Sequence, residues 1–318
     1  MTTQIYLAPP ESKSWLNGYY LEKILREQAF YADDSCKDIC FVVPELKGMP
    51  LDAIILLLVV CNQLSDKGFQ VQIAFSSKEC PILSYCALMS FFEHLESNIV
   101  VTPSPDSLDE DKTEHSNLFK IVALTGEQNC SELSETLTCK IINAIDGHSD
   151  ITLSEKQLNT LKHRYRTIIL EMINNVKEHS KTELDGYVAM QVYGGYNPRA
   201  TLIICDSGLG LFNTLKNSTE PENHQYKTDN FSEIIRKIFD EGVTSKKHDD
   251  GGSGLQTSFK YAKNMNSDIV LRTDKNQFRL HKLAEQEHPV DALKINEDFM
   301  QIDGTFFCFD IPLLKQDC

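Results

Sequence analysis

Three polar residues recur at intervals of four within a long helical pattern in the second half of the chain. They are Glu171, Asn175 and His179, in the segment EMINNVKEHS, and residues four apart share one side of an α-helix. A carboxylate and a carboxamide one turn apart can bind a hydrated divalent cation, because Mg²⁺ keeps several waters and takes few protein oxygens. Glu171 could then orient or deprotonate an attacking group. A polar helix face with an i,i+4 hydrogen bond is the alternative interpretation.

An aspartate follows directly on an apolar stretch that is predicted to be a buried strand. In the segment IICDSGLGLF the strand ends before Asp206, and Gly208 and Gly210 come after it. A carboxylate at a strand end can accept hydrogen bonds from an exocyclic amine, and nearby glycines let the backbone approach a flat ring. A strand-to-loop turn in which the aspartate caps a helix is the alternative.

A glycine-rich stretch opens a further predicted helix, LQTSFKYAKNM. The stretch contains two lysines and three glycines: Lys246, Lys247, Gly251, Gly252 and Gly254. Backbone N–H groups where a glycine loop enters a helix form an anion site, which the helix dipole strengthens. The pattern is neither a P-loop nor a dinucleotide-binding fingerprint, because Leu255 and Gln256 follow the last glycine. An ordinary loop is the alternative.

A sheet and several helices must position these three segments, and the second half of the chain predicts both. Residues 151–180 form the longest helical pattern, with apolar residues on one stripe at about 100° per residue. The stripe consists of Leu158, Leu161, Tyr165, Ile168, Ile169, Met172 and Val176. Strands are predicted for the segments YVAMQVYG, ATLIIC, DIVLRT and GTFFCFDIP.

The first hundred residues alternate between strand and helix patterns. Residues 38–43 and 69–75 predict strands, and the segments from Pro50 to Gly68 and from residue 81 to residue 95 predict helices. This alternation indicates a small α/β domain with a partly parallel sheet. An acidic stretch with two prolines and no periodicity follows, which predicts a linker. We therefore expect an N-terminal domain over residues 1–103, a linker over 104–117 and a second domain over 118–318.

Composition and charge exclude several classes of protein. The chain has 318 residues and a formal net charge of -15, which argues against a nucleic-acid partner because such proteins usually carry a basic face. Its ten cysteines lack metal-binding spacing, and several, such as Cys61 and Cys205, lie in apolar runs. Since no signal peptide is evident, we expect reduced thiols and a cytoplasmic protein. The most apolar run, residues 53–61, is shorter than the roughly 20 residues that span a membrane.

The three segments, taken in chain order, resemble the motifs of the GHKL ATP-binding family. These motifs are E-x-x-x-N on a helix, D-x-G-x-G after a strand and G-x-G-L at the start of a helix. This family contains gyrase B, heat-shock chaperone ATPases, sensor histidine kinases, MutL and the anti-sigma-factor kinases. The motifs of this chain most resemble those of the anti-sigma-factor kinases. The segments IFDEGVTSKK and GTFFCFDIP resemble the family's lid stretch and closing strand. The resemblance covers roughly residues 118–315. It implies an α+β sandwich of the Bergerat type, with ATP and Mg²⁺ as ligands.

The resemblance also implies a role for each matching residue. Glu171 would be the general base and Asn175 would bind Mg²⁺. Asp206 would accept a hydrogen bond from the adenine amine, with Thr305 supporting it through water. Gly208 and Gly210 would shape the adenine wall. The triphosphate would be wrapped by Gly252, Ser253, Gly254 and Leu255, and its γ-phosphate would contact Lys246 or Lys247.

Two positions depart from the family pattern. Many members have another glycine where this chain has Gln256, and this difference could alter the phosphate contacts. His163 lacks the H-E-x-x-x-P surroundings of a histidine-kinase phosphoacceptor, so we expect a surface or packing role for it.

The N-terminal half more loosely resembles the STAS-like fold of anti-sigma-factor antagonists, while any small α/β domain would give the same pattern. Those antagonists usually carry a phosphorylatable hydroxyl before the apolar helix, and the segment PELKGMPLDA has none. The resemblances together imply an ATPase whose lid or dimer switch regulates a protein partner, with a homodimer as one arrangement. The alternatives are a serine/threonine kinase of the anti-sigma type and a non-catalytic nucleotide-sensing module.

Overall fold

A computed structural model describes most of the chain. The described residues are 2–11, 13–28, 37–105, 115–125, 129–148, 153–179, 182–217, 230–241, 254–280 and 293–313. The chain divides into two compact units: Met1–Val122 with Asp298–Ile302, and Ala123–Glu297 with Asp303–Cys318. One sheet is parallel, and the strand pairs described in the other are antiparallel, so the fold is mixed α/β, as the sequence predicts.

The first unit is built on a four-stranded parallel sheet whose strands follow one another in chain order, β1-β2-β3-β4. Its elements are β1 (Thr2–Tyr6), α1 (Gly18–Gln28), β2 (Asp38–Val43), α2 (Leu51–Asp66), β3 (Gln70–Phe75), α3 (Pro81–Leu88), a 3-10 turn (Phe91–His94) and β4 (Val100–Thr102). Helix α2 is buried on nearly every side, as expected for a helix in which residues 53–61 are all apolar. It begins after Pro50 and ends before Gly68, whose φ of +84° only glycine adopts readily.

The helix predicted for residues 81–95 is wrong over its second half. Helix α3 ends at Leu88, and Ser90 has a left-handed backbone with φ of 60°. This reversal leads into the 3-10 turn and places Phe91 in the core with no exposed surface. Burial of that ring accounts for the break, because packing of a large aromatic side chain outweighs a weak local helical pattern.

The remaining elements belong to the second unit, apart from residues 118–122 and residue 302, and their strands form a seven-stranded sheet of order β10-β9-β8-β11-β7-β6-β5. They are β5 (Leu118–Leu124), α4 (Cys130–Gly147), α5 (Glu155–His179), β6 (Gly186–Tyr193), β7 (Arg199–Cys205), α6 (Gly210–Lys216), α7 (Phe231–Glu241), α8 (Gly254–Asn264), β8 (Asp268–Asp274), β9 (Asn276–Leu280), β10 (Leu293–Asn296) and β11 (Ile302–Pro312). Strand β11 pairs antiparallel with β7, and Phe306 lies opposite Cys205. The end of β7 therefore lies beside the start of β11.

Burial follows the predicted stripe in the central part of α5. Tyr165, Ile168, Ile169, Met172 and Val176 are all buried. Cys61 and Cys205 are also fully buried, as their apolar surroundings predict, and burial raises the pKa of both thiols. None of the helices that the structure describes is long and apolar enough to cross a membrane.

Candidate functional site

The aspartate that follows β7 is almost completely buried, with 4% of its surface exposed. Asp206 Oδ1 accepts the backbone N–H of Gly208 at 2.8 Å, and Oδ2 accepts the backbone N–H of Thr305 at 3.1 Å. The nearby Thr305 hydroxyl also lowers the pKa of the carboxylate. The Asp206 N–H donates in turn to the Thr305 carbonyl at 2.9 Å. The loop after β7 and strand β11 thus hold the carboxylate from two directions.

The electrostatics of Asp206 are unusual for an aspartate. Burial raises the pKa of this carboxyl to about 6, and the hydrogen bonds from Gly208 and Thr305 oppose the rise. An ionised carboxylate offers about four lone-pair positions. Among the described residues, the backbone hydrogen bonds from Gly208 and Thr305 fill two of these positions and leave about two for external donors. The carboxylate is therefore fixed in orientation and retains the capacity to bind an external N–H group.

Two glycines with left-handed backbones lie beside this aspartate. A Cβ on Gly304, where φ is +87°, would lie 2.0 Å from the Asp206 carbonyl oxygen and 2.8 Å from Oδ1. A Cβ on Gly210, where φ is +75°, would lie 2.6 Å from the Gly304 carbonyl oxygen and 2.6 Å from Thr273 Oγ1. Both positions require glycine, because side chains rarely adopt this conformation and no space is left for one.

Strand β8 contributes a hydroxyl group to the same place. Thr273 is fully buried, and its Oγ1 donates a hydrogen bond to the Gly304 carbonyl at 3.0 Å. The Thr305 hydroxyl accepts the backbone N–H of Leu211 in the first turn of α6 at 2.9 Å. These contacts connect β8, β11 and the start of α6 around Asp206.

The predicted base meets the predicted phosphate-binding helix directly. An ideal Cβ at Gly254, the first residue of α8, would lie 1.9 Å from Glu171 Oε1 and 2.0 Å from its Cδ. The Glu171 carboxylate therefore fills the space in which a side chain at residue 254 would begin. The same two helices meet again where the ring centroid of His163 in α5 lies 6.2 Å from that of Tyr261 in α8. Helices α5 and α8 therefore run antiparallel along this contact.

The segment of α5 that carries Asn175 passes close to the end of β7. The next residue, Val176, is buried, and its Cγ1 lies 2.5 Å from the position that a Cβ of Gly186 would take. The same position is 3.6 Å from the Asp206 Cα. Since residue 186 has no side chain, α5 approaches the strand ends closely here.

The candidate residues of the glycine-rich stretch are placed only in part. Gly254 and Leu255 open α8, and the side chain of Leu255 is buried. Gln256 lies in the same turn and is partly buried. The predicted contacts of Lys246, Lys247, Gly252 and Ser253, like the side chain of His179, lie outside the described residues. His163 is exposed, in agreement with the expected surface or packing role.

The described residues fit a cation that takes few protein ligands. They contain no group of three or more His, Cys, Asp or Glu side chains that could hold a metal ion. Asn175, one turn from Glu171, provides a single carboxamide oxygen. Such a set suits Mg²⁺ bound chiefly by phosphates and water, and does not suit a metal held in a protein cage.

Sequence reasoning missed two residues of this cluster, Thr273 and Gly304. The second left a signal, because a glycine inside a strand often marks close approach of another backbone, and Gly304 directly precedes Thr305. The first left none, since a threonine in a strand is ordinary.

Comparisons with known proteins add little to this geometry. No family model matches the chain, and no curated protein matches it. Among solved structures, the chain is similar to one described as the mycobacterial sensor histidine kinase MprB, with 12% sequence identity and a TM-score of 0.28. The match covers 61% of this chain and 97% of the other. A likeness of this size carries no argument about fold or function.

Proposed function

We propose that the second unit binds Mg²⁺-ATP and hydrolyses it, with Asp206 as the acceptor for the adenine amine. The observation that carries this proposal is the buried Asp206 carboxylate, which is fixed by the backbone N–H groups of Gly208 and Thr305 and keeps acceptor capacity beyond these two hydrogen bonds. Buried carboxylates with a raised pKa cluster at functional sites.

The contact between Glu171 and Gly254 supports the second part of the proposal. The positive end of the α8 dipole favours an anion at this helix start. A triphosphate there would lie beside Glu171, which would orient or deprotonate the attacking water. Bound Mg²⁺, with Asn175 as its protein ligand, would neutralise charge on the phosphates, and phosphoryl transfer requires chiefly such positioning and neutralisation.

The first unit supports a role in binding a protein. Its four parallel strands follow chain order, so the sheet has no point at which the strand order reverses. In open α/β sheets small ligands bind at such a reversal. We therefore assign this unit to a protein partner or a second copy of the chain, whose binding the nucleotide state would control.

The proposal is tested first by thermal unfolding with Mg²⁺-ATP. A ligand that binds only the native state at 100 times its Kd stabilises it by about 2.7 kcal/mol, so the melting temperature should rise. The Asp206→Asn variant should lose the rise. The Asp310→Asn variant is the matched control, since Asp310 lies in the same strand as Thr305 and accepts a hydrogen bond from Thr201. If the Asp206→Asn variant keeps the rise, the assignment of the base site is wrong.

Phosphate release then tests hydrolysis. Wild type should release phosphate above background and Glu171→Ala should not, while both still bind ATP. Equal background rates in the two proteins would refute hydrolysis. Label from the γ-phosphate recovered on protein would instead favour the kinase alternative.

A further inference from the structure

Thr273 and Asp206 contact opposite ends of one rigid group. The peptide bond between Gly304 and Thr305 carries both the carbonyl that accepts from Thr273 Oγ1 and the N–H that donates to Asp206 Oδ2. A peptide group is planar, and its C=O and N–H move together. The rotation of this group therefore sets where the N–H meets the carboxylate, and Thr273 holds its other end.

Without this tether the peptide group has freedom to turn. Gly304 has φ of +87°, and glycine tolerates a wider range of backbone angles than any other residue. The Thr273 hydroxyl also lies against Gly210, which opens α6. One buried hydroxyl thus contacts both glycines that flank Asp206 in space.

We propose that Thr273 is a positioning residue for Asp206, and that it acts through the Gly304–Thr305 peptide group to set the preference for a base with an exocyclic amine. This inference rests on the proposed function, because it concerns the same base site. A free acceptor position of Asp206 is useful for recognition only if its direction is fixed. Two backbone hydrogen bonds fix it, and one of them comes from the Thr305 N–H of the peptide group that Thr273 holds.

The preference is measurable because a single functional group distinguishes two nucleotides. ATP carries a 6-amino group, which donates a hydrogen bond, whereas inosine triphosphate carries a 6-oxo group, which accepts one. A carboxylate can pair with the first and repels the second. A site built around such a hydrogen bond rejects the analogue that lacks it strongly, so wild type should bind ATP at least about tenfold more tightly than inosine triphosphate.

The test compares the affinities of the full chain for these two nucleotides by calorimetric titration with Mg²⁺. Thr273→Val removes the hydroxyl at nearly constant volume, and we expect the ratio of the two affinities to fall about tenfold, chiefly through weaker binding of ATP. Thr273→Ser keeps the hydroxyl and should restore the ratio. Thr201→Val is the matched control, because Thr201 is a buried threonine of the same sheet that hydrogen bonds to Asp310.

Each outcome decides the inference. A Thr273→Val variant that is less stable but keeps the wild-type ratio shows a structural role alone and overturns it. If that variant does not fold, the pair Thr273→Ser and Thr273→Ala gives the same comparison of hydroxyl against none. If wild type binds ATP more tightly than inosine triphosphate and the Thr273 variants keep the same affinity ratio, only this inference is refuted. A wild type that binds neither nucleotide refutes the proposed function as well.

Discussion

Replacement of Gly254 by alanine tests whether Glu171 acts at the start of α8. The added Cβ would lie 1.9 Å from Glu171 Oε1, whereas real Cβ contacts are at least 3.0 Å, so the carboxylate must move by about 1.1 Å (3.0 minus 1.9). A misplacement of about 1 Å at a reacting group costs about 100-fold in rate. We therefore expect ATP turnover of Gly254→Ala to fall by about two orders of magnitude.

The same substitution should leave the fold nearly unchanged. The Glu171 carboxylate is the far end of a flexible side chain and can turn away, and the backbone of Gly254 is not left-handed. Alanine is favoured over glycine within a helix by up to about 1 kcal/mol. The free energy of unfolding should thus stay within about 1 kcal/mol of wild type.

The assay is phosphate release at saturating Mg²⁺-ATP, with urea unfolding measured on the same preparations. Gly147→Ala is the matched control, because Gly147 is the last residue of α4 and an added Cβ there would contact nothing within 4 Å. Turnover by Gly254→Ala within twofold of wild type, together with normal folding, would refute the assignment of Glu171 as the base.

Three further predictions follow from individual contacts. ATP affinity of wild type should be about tenfold weaker at pH 5 than at pH 7, because Asp206, with a pKa of about 6, is largely protonated at pH 5 and loses its acceptor capacity. Titration at both pH values checks this, with protonation of ATP corrected from a pH titration of the free nucleotide, and equal or tighter binding at pH 5 would contradict it. Ser258→Ala should leave the free energy of unfolding in urea unchanged or raise it by about 1 kcal/mol, since the buried Ser258 hydroxyl has no hydrogen-bond partner among the described residues. A loss of about 2 kcal/mol or more would show that the hydroxyl has a partner and would contradict this prediction. Gly304→Ala should lower the free energy of unfolding in urea by more than about 3 kcal/mol or prevent folding. Gly195→Ala, at a residue with φ of +94° and no atom within 4 Å of the added Cβ, should lower it by only about 1–2 kcal/mol, and equal losses in the two variants would refute the close approach of Gly304 to Asp206.

Most helices and strands could be predicted because their patterns are local. Strand β2 coincides with the predicted residues 38–43, and α8 begins at Gly254, one residue before the predicted helix. The broken helix after Leu88 could not be predicted, because burial of Phe91 is a tertiary effect. The short strand β9 was missed because five residues that contain both apolar and charged side chains have no clear period.

The candidate site also combines residues that local patterns indicate with contacts that they do not. Glu171 and Asn175 were chosen as candidates from their spacing within a helical pattern, and Asp206 from its place directly after a strand pattern. The contact between Glu171 and Gly254 depends on how α5 packs on α8, and no local pattern encodes it. The contact of Thr273 with Gly304 depends on how β8 lies beside β11 in the sheet, so it appears only when the sheet is assembled.

The central claim is that Asp206 binds the adenine amine of ATP, and a crystal structure with Mg²⁺ and a non-hydrolysable ATP analogue tests it most directly. The decisive quantity is the distance from the adenine exocyclic nitrogen to the nearer Asp206 carboxylate oxygen. We predict a hydrogen bond of about 2.7–3.2 Å, with the phosphates at the start of α8. A nucleotide bound elsewhere, or one whose base lies beyond hydrogen-bond distance of Asp206, would contradict the account.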